Sequence, residues 1–228
     1  GTFKYVDFII ETLNFITFEI GKPFNFGTFN LLLPVGISFY TFQTMSYSID
    51  VFQGKSKPYT SFVDFACYAA FFPQLVAGPI VRSEHFRNQI KHGLFFKPLN
   101  LKIGLTFICY GLFKKIVIAD NIANQVNLIF TNQSDLSNFF LVFYGSFLFG
   151  IQIYCDFSAY STIAIGSAKL FGIDLPQNFN HPFFSKSPEE YWKKWHISLS
   201  TWLRDYLYTP IAIKAARNKQ SLTIILFK

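Results

Sequence analysis

The feature that most constrains this chain is an uncharged stretch, Phe139 to Cys155, which contains no Asp, Glu, Lys or Arg. The apolar pattern continues to Phe171, and a helix that crosses a bilayer needs about 20 mainly apolar residues. Three further stretches reach that length, namely Leu31 to Phe52, Phe62 to Val81 and Leu101 to Ala119. The sequence therefore predicts an all-α fold, a polytopic transmembrane helical protein.

The composition also favours lipid as the surroundings of this chain. Only 14% of its residues are charged, against about 25% in soluble domains, and 31 of its 228 residues are Phe. A soluble domain of this size would expose many of those rings as adhesive patches. The formal net charge of +7 comes from Lys and Arg scattered through short connectors, without the basic stripe that binds nucleic acid. We therefore expect membrane lipid as a partner and no nucleic acid.

The basic connectors predict how the chain is oriented. Arg82 to Lys102 carries five Lys or Arg residues, whereas Asp120 to Asn138 carries none. Cytoplasmic loops are enriched in Lys and Arg, so the first connector is expected inside and the second outside. Crossing back leads to the basic stretch Lys186 to Arg204, which again belongs inside. Phe3 to Ile20 carries four charges, and we expect it at the interface or against other helices.

One apolar stretch, Phe62 to Val81, does not fit this alternation, because basic residues flank it on both sides. It either re-enters the membrane from the cytoplasmic side or crosses as a helix with a proline kink. Pro73, Gly78 and Pro79 favour a break in the helix. Non-helical backbone at membrane depth survives only where protein or a water-filled cavity satisfies its polar groups.

The ends of the chain bear on its domain organisation. It opens at Gly1 instead of Met, and it closes at Lys228 just after an apolar run, Leu222 to Phe227, begins. No internal repeat or low-complexity linker divides it. We expect residues 1–228 to form a single incomplete domain, cut at both ends.

The best-defined helix start lies near the end of the chain. Ser187 is a suitable N-cap, Pro188 suits the first helical position, and Glu190 can complete a capping box. The pattern predicts one amphipathic helix from Pro188 to about Tyr208 at the cytoplasmic interface. His196 falls on its apolar side, where burial favours the neutral imidazole. Such a histidine can act as a general base, or it can simply form a hydrogen bond with a backbone carbonyl in the core.

Several other polar residues lie at membrane depth or at its edge. Asp156 needs a partner or a cavity, because a carboxylate there costs about 2.5 kcal/mol or more. It either lines a substrate path with Ser158 and Tyr160 or makes a packing hydrogen bond. Gln74 and Arg82 bracket the proline-rich bend. Arg82 either binds a phosphate-bearing ligand at the cytoplasmic mouth or anchors the cytoplasmic face.

Five stretches carry a resemblance to a known family. The longest is Tyr191 to Tyr208, which reads YWKKWHISLSTWLRDYLY, and the others are Leu33 to Gln43, Phe72 to Arg82, Tyr154 to Ser161 and Pro176 to Asn180. Together they resemble, in order and spacing, the alginate O-acetyltransferase branch of the membrane-bound O-acyltransferase family.

That resemblance implies an enzyme with many membrane helices around a thin central region. There a cytoplasmic acyl thioester, acetyl-CoA or a carrier thioester, would meet a hydroxyl acceptor from the other side. His196 matches the first of two family histidines associated with activity. The second, usually taken as catalytic, is expected in a Trp-His-Gly type motif beyond Lys228.

The histidines and cysteines lack a metal-ligand spacing, so we expect no metal, and we expect no bound cofactor. The resemblance further implies a multi-pass enzyme of the bacterial inner membrane. Its partners would be the acyl donor, a polysaccharide or other cell-envelope acceptor such as alginate, and periplasmic acetyltransferases. We take His196 as the candidate catalytic residue. The candidate residues of the substrate path are Asp156, Ser158, Tyr160, Gln74, Arg82, Trp195, Ser198, Arg204 and Asp205.

Two other functions compete with acyl transfer. A polytopic protein with a buried carboxylate and a broken helix could be a transporter, although transporters commonly carry such breaks in two repeated halves. The chain could also be a membrane scaffold without catalytic activity.

Overall fold

The computed structural model describes residues 2–21, 26–29, 36–75, 78–91, 97–131 and 137–217, and within these ranges the regular structure is helical with no strand. The predicted all-α class is therefore confirmed for the described part of the chain. The chain divides into two compact units, Gly1–Ser38 and Phe39–Lys228. Whether residues 1–228 act as one incomplete domain stays a prediction.

The first unit is built on helix α1, Thr2–Glu19. The Asn14 side chain pairs with the backbone of Phe26, accepting from its N–H at 2.9 Å and donating to its carbonyl at 2.9 Å. Asp7 accepts from the N–H of Phe29 at 2.8 Å. Polar residues in this amphipathic stretch thus satisfy the backbone of the segment that follows it.

Helices of the second unit follow one another with short connections. They are α2 (Ile37–Phe52), α3 (Phe62–Ala69), α4 (Phe72–Leu75), α5 (Ser83–Lys91), α6 (Pro98–Leu112), a π-helical turn (Phe113–Ala119), α7 (Asp120–Thr131) and α8 (Phe139–Leu170). After them come a 3₁₀ turn (Pro182–Phe184), α9 (Pro188–Lys194), α10 (Ile197–Leu203), a second π-helical turn (Arg204–Tyr208) and α11 (Thr209–Arg217).

The stretch Phe62 to Val81 is broken, as its prolines predict. It forms α3 and the single turn α4, and residues 78–82 have no regular secondary structure. A Cβ on Gly78 would lie 2.4 Å from the Cα of Gln74, so only glycine fits at this bend. Re-entry into the membrane stays a prediction.

The core of the second unit forms where α3 and α5 meet the end of α8. Tyr68 is fully buried and donates from its hydroxyl to the carbonyls of Gln43 at 3.2 Å and Val81 at 3.0 Å. One aromatic side chain of α3 thus connects α2 with residues 78–82.

Helices α6 and α8 pack closely through small residues. A Cβ on Gly104 would lie 2.8 Å from the carbonyl oxygen of Gly166, and a Cβ on Gly166 would lie 2.7 Å from that of Gly104. Two glycines facing each other let the backbones approach, as at many helix interfaces in membranes.

Residues 120–131 of the connector predicted from Asp120 to Asn138 form α7, and the external location of this connector stays a prediction. Its apolar residues follow a helical spacing, with Val126 buried, and α7 packs against α8. The absence of Lys and Arg, which predicted an external location, carries no information on secondary structure.

Helix α8 is, within the described ranges, the one helix long and apolar enough by itself to cross a membrane. Helix α2 begins at Ile37, and Leu31 to Val35 lie outside the described residues. Many large apolar side chains of α1, α6 and α8 are exposed. The number of crossings stays a prediction.

Candidate active site

The segment that carries His196 is two short helices and not one. Helix α9 ends at Lys194, Trp195 is extended with φ −101° and ψ 129°, and α10 begins at Ile197. His196 between them has φ 43° and ψ 55°, in the left-handed region. A non-glycine residue in that region costs about 1 to 3 kcal/mol and is found disproportionately at functional sites.

The prediction of one continuous amphipathic helix from Pro188 to Tyr208 is therefore wrong. Its start is confirmed, because Ser187 caps α9 by accepting from the N–H of Glu190 at 3.1 Å. The break has its cause elsewhere in the chain, in the loop after α8, whose hydrogen bonds replace those of a continuous helix.

That loop satisfies the backbone groups exposed by the break. The N–H of Asn180 donates to the carbonyl of Lys194 at 3.0 Å, and the N–H of Ile197 donates to the carbonyl of Asn178 at 2.9 Å. The side chain of Asn178 accepts from the N–H of Ser198 at 3.3 Å. The strained conformation of His196 is thus held from both sides.

The imidazole of His196 lies among aromatic rings. Phe157 of α8 meets it edge-on with centroids 4.7 Å apart, and Phe39 of α2 lies 6.4 Å away. Its Nε2 atom is buried and has no hydrogen-bond partner among the described residues. Burial away from water lowers the pKa of His196 to about 4, so the ring is neutral at pH 7.

Trp195 and Ser198 lie on either side of this histidine and have structural partners. Trp195 stacks on Tyr191 with centroids 5.7 Å apart and meets Phe179 edge-on at 5.0 Å. The hydroxyl of Ser198 accepts from the N–H of Ile80 at 3.0 Å. Residues 78–82, which follow the proline-rich bend, are therefore hydrogen-bonded directly to α10.

A second cluster joins Arg82 to the π-helical turn after α10. Arg82 Nη2 lies 3.0 Å from Asp205 Oδ2, and its guanidinium carbon lies 4.3 Å from the centre of the Tyr206 ring. Arg204 Nε lies 2.9 Å from the other oxygen of Asp205. Asp205 already engages both arginines, which favours Arg82 as an anchor over Arg82 as a ready phosphate ligand.

Asp156 has the charged partner that the sequence predicts. Lys115 Nζ lies 2.7 Å from Asp156 Oδ1 and 2.7 Å from Asp120 Oδ1, and its cation lies 5.5 Å from the centre of the Tyr160 ring. Ser158 contacts a different lysine, since Lys114 Nζ donates to its hydroxyl at 3.3 Å.

Lys114 also reaches a cavity of about 520 Å³ between α6, α8 and the loop that follows α8. It donates to Thr162 Oγ1 at 2.9 Å. The loop end of the cavity is lined by Asn178 and His181 among others, so this space adjoins the loop that holds His196.

Gln74 is buried in the fold at 2% exposure. Its amide donates to the carbonyl of Tyr68 at 3.0 Å. The carbonyl also accepts from Gln43 Nε2 at 2.6 Å. Gln74 therefore stabilises the bend between α3 and α5.

The structure thus brings the candidate residues together in separate groups. Trp195, His196 and Ser198 form one, Arg82, Arg204 and Asp205 a second, and Asp156 and Tyr160 surround Lys115. Sequence reasoning did not single out Asn178 or Phe157, which shape the surroundings of His196. The available signal for Asn178 was its side chain, which can substitute for a backbone partner in a turn.

The sequence model of the membrane-bound O-acyltransferase family matches residues 55–227, which include the His196 group and the Arg82 group. The chain belongs to that family.

Individual relatives make the comparison more specific. The chain is 41% identical over 209 residues to a probable alginate O-acetylase of Pseudomonas aeruginosa, covering 91% of this chain and 39% of that protein. It is 36% identical over 237 residues to a peptidoglycan O-acetyltransferase of Helicobacter pylori, covering 92% and 44%. It is 30% identical over 183 residues to a teichoic acid D-alanyltransferase of Bacillus subtilis, covering 78% and 46%. The chain thus spans less than half the length of each of these relatives.

Proposed function

We propose that this chain forms part of an O-acyltransferase that moves an acetyl group from a thioester to hydroxyls of an extracellular polysaccharide such as alginate. Family membership and the names of its relatives support the reaction type. The observation that carries the proposal is His196, a strained and neutral imidazole whose buried Nε2 has no partner among the described residues.

The chemistry needs few parts. A thioester already has a good leaving group, so an alcohol needs a base for its proton, hydrogen-bond donors for the developing oxyanion and alignment with the thioester carbon. The alcohol oxygen then forms the ester bond, the carbon–sulfur bond breaks, and the thiol leaves with a proton. No covalent acyl-enzyme is required.

His196 suits an orienting role better than that of the base. A general base works best when its pKa is close to the operating pH, and burial lowers the pKa of His196 to about 4. A neutral imidazole can still accept a hydrogen bond from the acceptor hydroxyl or donate one to the oxyanion. We propose that the base is the second family histidine, which the resemblance leads us to expect beyond Lys228.

The setting of the reaction follows from the same proposal. We place the protein in the bacterial inner membrane as a multi-pass enzyme, supported by the apolar helix Phe139–Leu170 and the exposed apolar surface. The donor would be acetyl-CoA or a carrier thioester from the cytoplasm. The acceptor would be a cell-envelope polymer, with periplasmic acetyltransferases as partner proteins.

Among the remaining candidates we propose Trp195 and Ser198 as walls of the site next to His196. Asp205 pairs with both arginines, but the Arg204 side chain is 64% exposed against 29% for Arg82, so Arg204 is the more accessible candidate cation for the donor at the cytoplasmic mouth. Asp156, Ser158 and Tyr160 stay proposals for the substrate path.

The test uses the intact gene product in lipid nanodiscs, with radiolabelled acetyl-CoA and oligosaccharide acceptors. We expect acetyl transfer to a hydroxyl acceptor, and we expect His196→Ala to lower kcat about 100-fold, the scale of losing alignment. His85→Ala is the matched control, since this exposed histidine contacts the carbonyl of Asp174.

Folded protein with undiminished transfer after His196→Ala would remove His196 from the mechanism. Absence of transfer to every polysaccharide acceptor, together with lost export of the polymer in a gene deletion, would favour the transporter. Parallel assays with alginate, peptidoglycan and teichoic acid fragments identify the acceptor.

A further inference from the structure

The break beside His196 leaves backbone groups of α9 and α10 without helical hydrogen-bond partners. The loop after α8 supplies partners for them. In a continuous helix the carbonyl of Lys194 and the N–H of Ile197 would bond along the helix axis. Here Asn180 and Asn178 take these two positions through their backbones, at 3.0 and 2.9 Å. The loop therefore sets where α9 stops and where α10 starts.

Asn178 adds a side-chain bridge to this backbone pairing. Its Oδ1 accepts from the N–H of Ser198, 3.3 Å away, and its Nδ2 donates to Ser161 Oγ, 3.1 Å away on α8. The residue is 1% exposed, so water does not compete for these bonds. A buried amide with both ends bonded is a rigid link between the two elements.

The two elements linked are those that define the position of the imidazole. Phe157, whose ring meets His196 edge-on, precedes Ser161 by four residues, and residues spaced by four share one face of a helix. One face of α8 therefore contacts the His196 ring through Phe157. The same face binds, through Ser161, the Asn178 side chain that accepts from the N–H of Ser198.

We propose that Asn178 is a positioning residue for acyl transfer, which fixes the His196 imidazole against α8 by bridging Ser161 to the start of α10. This inference rests on the proposed function. Asn178 acts through the backbone around His196, and its loss lets the imidazole move away from the aligned position.

The experiment compares three variants of the intact gene product in nanodiscs. Asn178→Leu keeps the volume and removes both side-chain bonds. Ser161→Ala breaks the same bridge at its other end by removing a single oxygen. Gln177→Leu changes an exposed neighbour in the same loop and serves as the control. Thermal unfolding checks that each variant is folded.

We expect Asn178→Leu to lower kcat about 10- to 100-fold, as misalignment of about 1 Å does. Ser161→Ala should lower kcat about 3- to 10-fold, the effect of one hydrogen bond. The KM for the thioester should stay within about threefold of wild type, because positioning affects the reacting geometry and not donor binding. Gln177→Leu should match wild type.

A double-mutant cycle separates positioning from general stability. In a His196→Ala background Asn178→Leu should cost little more, since the imidazole that it positions is gone. Wild-type kcat in Ser161→Ala, or a full additive loss in the double variant, would overturn the inference. If Asn178→Leu does not fold, Ser161→Ala alone and combined with His196→Ala decides by the same criteria. Inactive wild-type protein would instead contradict the proposed function.

Discussion

Phe157 meets the His196 imidazole edge-on, with ring centroids 4.7 Å apart and planes 84° apart. Their contact joins the long apolar helix α8 to the break between α9 and α10. An edge-on aromatic pair is worth about 0.5 to 1.5 kcal/mol beyond the area it buries, and it also restricts the rotation of the imidazole.

We predict that Phe157→Leu lowers the kcat of acetyl transfer about 10-fold, because an aliphatic side chain leaves the imidazole free to tilt. Steady-state kinetics on folded protein measures the effect. Phe140→Leu is the control, since Phe140 lies near the start of the same helix and is 79% exposed. Equal kcat in the two variants would show that the Phe157 ring does not hold His196.

The buried histidine predicts how stability depends on pH. The pKa of His196 is about 4 in the folded chain against 6.5 as its ordinary value, so the unfolded chain binds more protons between these two values. The free energy of unfolding therefore rises with pH through this window. The contribution of the neutral His196 is lost as pH falls from 6.5 towards 4. Melting temperatures at pH 7 and pH 5 should differ more for wild type than for His196→Gln. A variant with the same pH dependence as wild type would contradict the buried neutral state.

The close approach of α6 and α8 predicts the effect of added methyl groups. Gly166→Ala should destabilise by about 1 to 3 kcal/mol, because the new Cβ would lie 2.7 Å from the carbonyl oxygen of Gly104. Gly150→Ala on the same helix meets nothing within 4 Å and should be neutral or stabilising by up to about 1 kcal/mol. Thermal unfolding of both variants measures the difference, and equal melting temperatures would show that the two helices can separate without cost.

The ion pair between Lys115 and Asp156 allows the two interpretations of Asp156 to be separated. Lys115→Met should destabilise by about 1 to 3 kcal/mol, because it leaves the Asp156 carboxylate, which we predict to lie at membrane depth, without its Lys115 partner. The double variant Lys115→Met with Asp156→Asn should recover most of that stability, and we expect acetyl transfer to recover with it. Restored stability without restored activity would place Asp156 in the substrate path instead.

Much of the local structure near His196 could be predicted from neighbouring residues, but the break between α9 and α10 could not. Ser187 and Pro188 predict the start of α9 because capping depends on three or four adjacent positions. Between Pro188 and Tyr208 no further proline or glycine marks an end. The break depends on Asn178 and Asn180, whose bonds form only after the loop has folded back.

The same limit applies to charges at depth. The need of Asp156 for a partner follows from the cost of burying a carboxylate, and a partner is present. Its identity as Lys115 depends on the register of α6 against α8, which is set by packing of small residues such as Gly104 and Gly166. Periodicity within one helix holds no information on that register.

The π-helical turn Phe113–Ala119 has a consequence for the exterior of the molecule. In a regular α-helix two successive side chains project about 100° apart, so one of two adjacent lysines would point towards the apolar outside. In this wider turn Lys114 reaches Ser158 and Thr162 while Lys115 reaches Asp156. Both lysines therefore contact α8, and the side chains exposed at this turn include the apolar Ile116 and Val117.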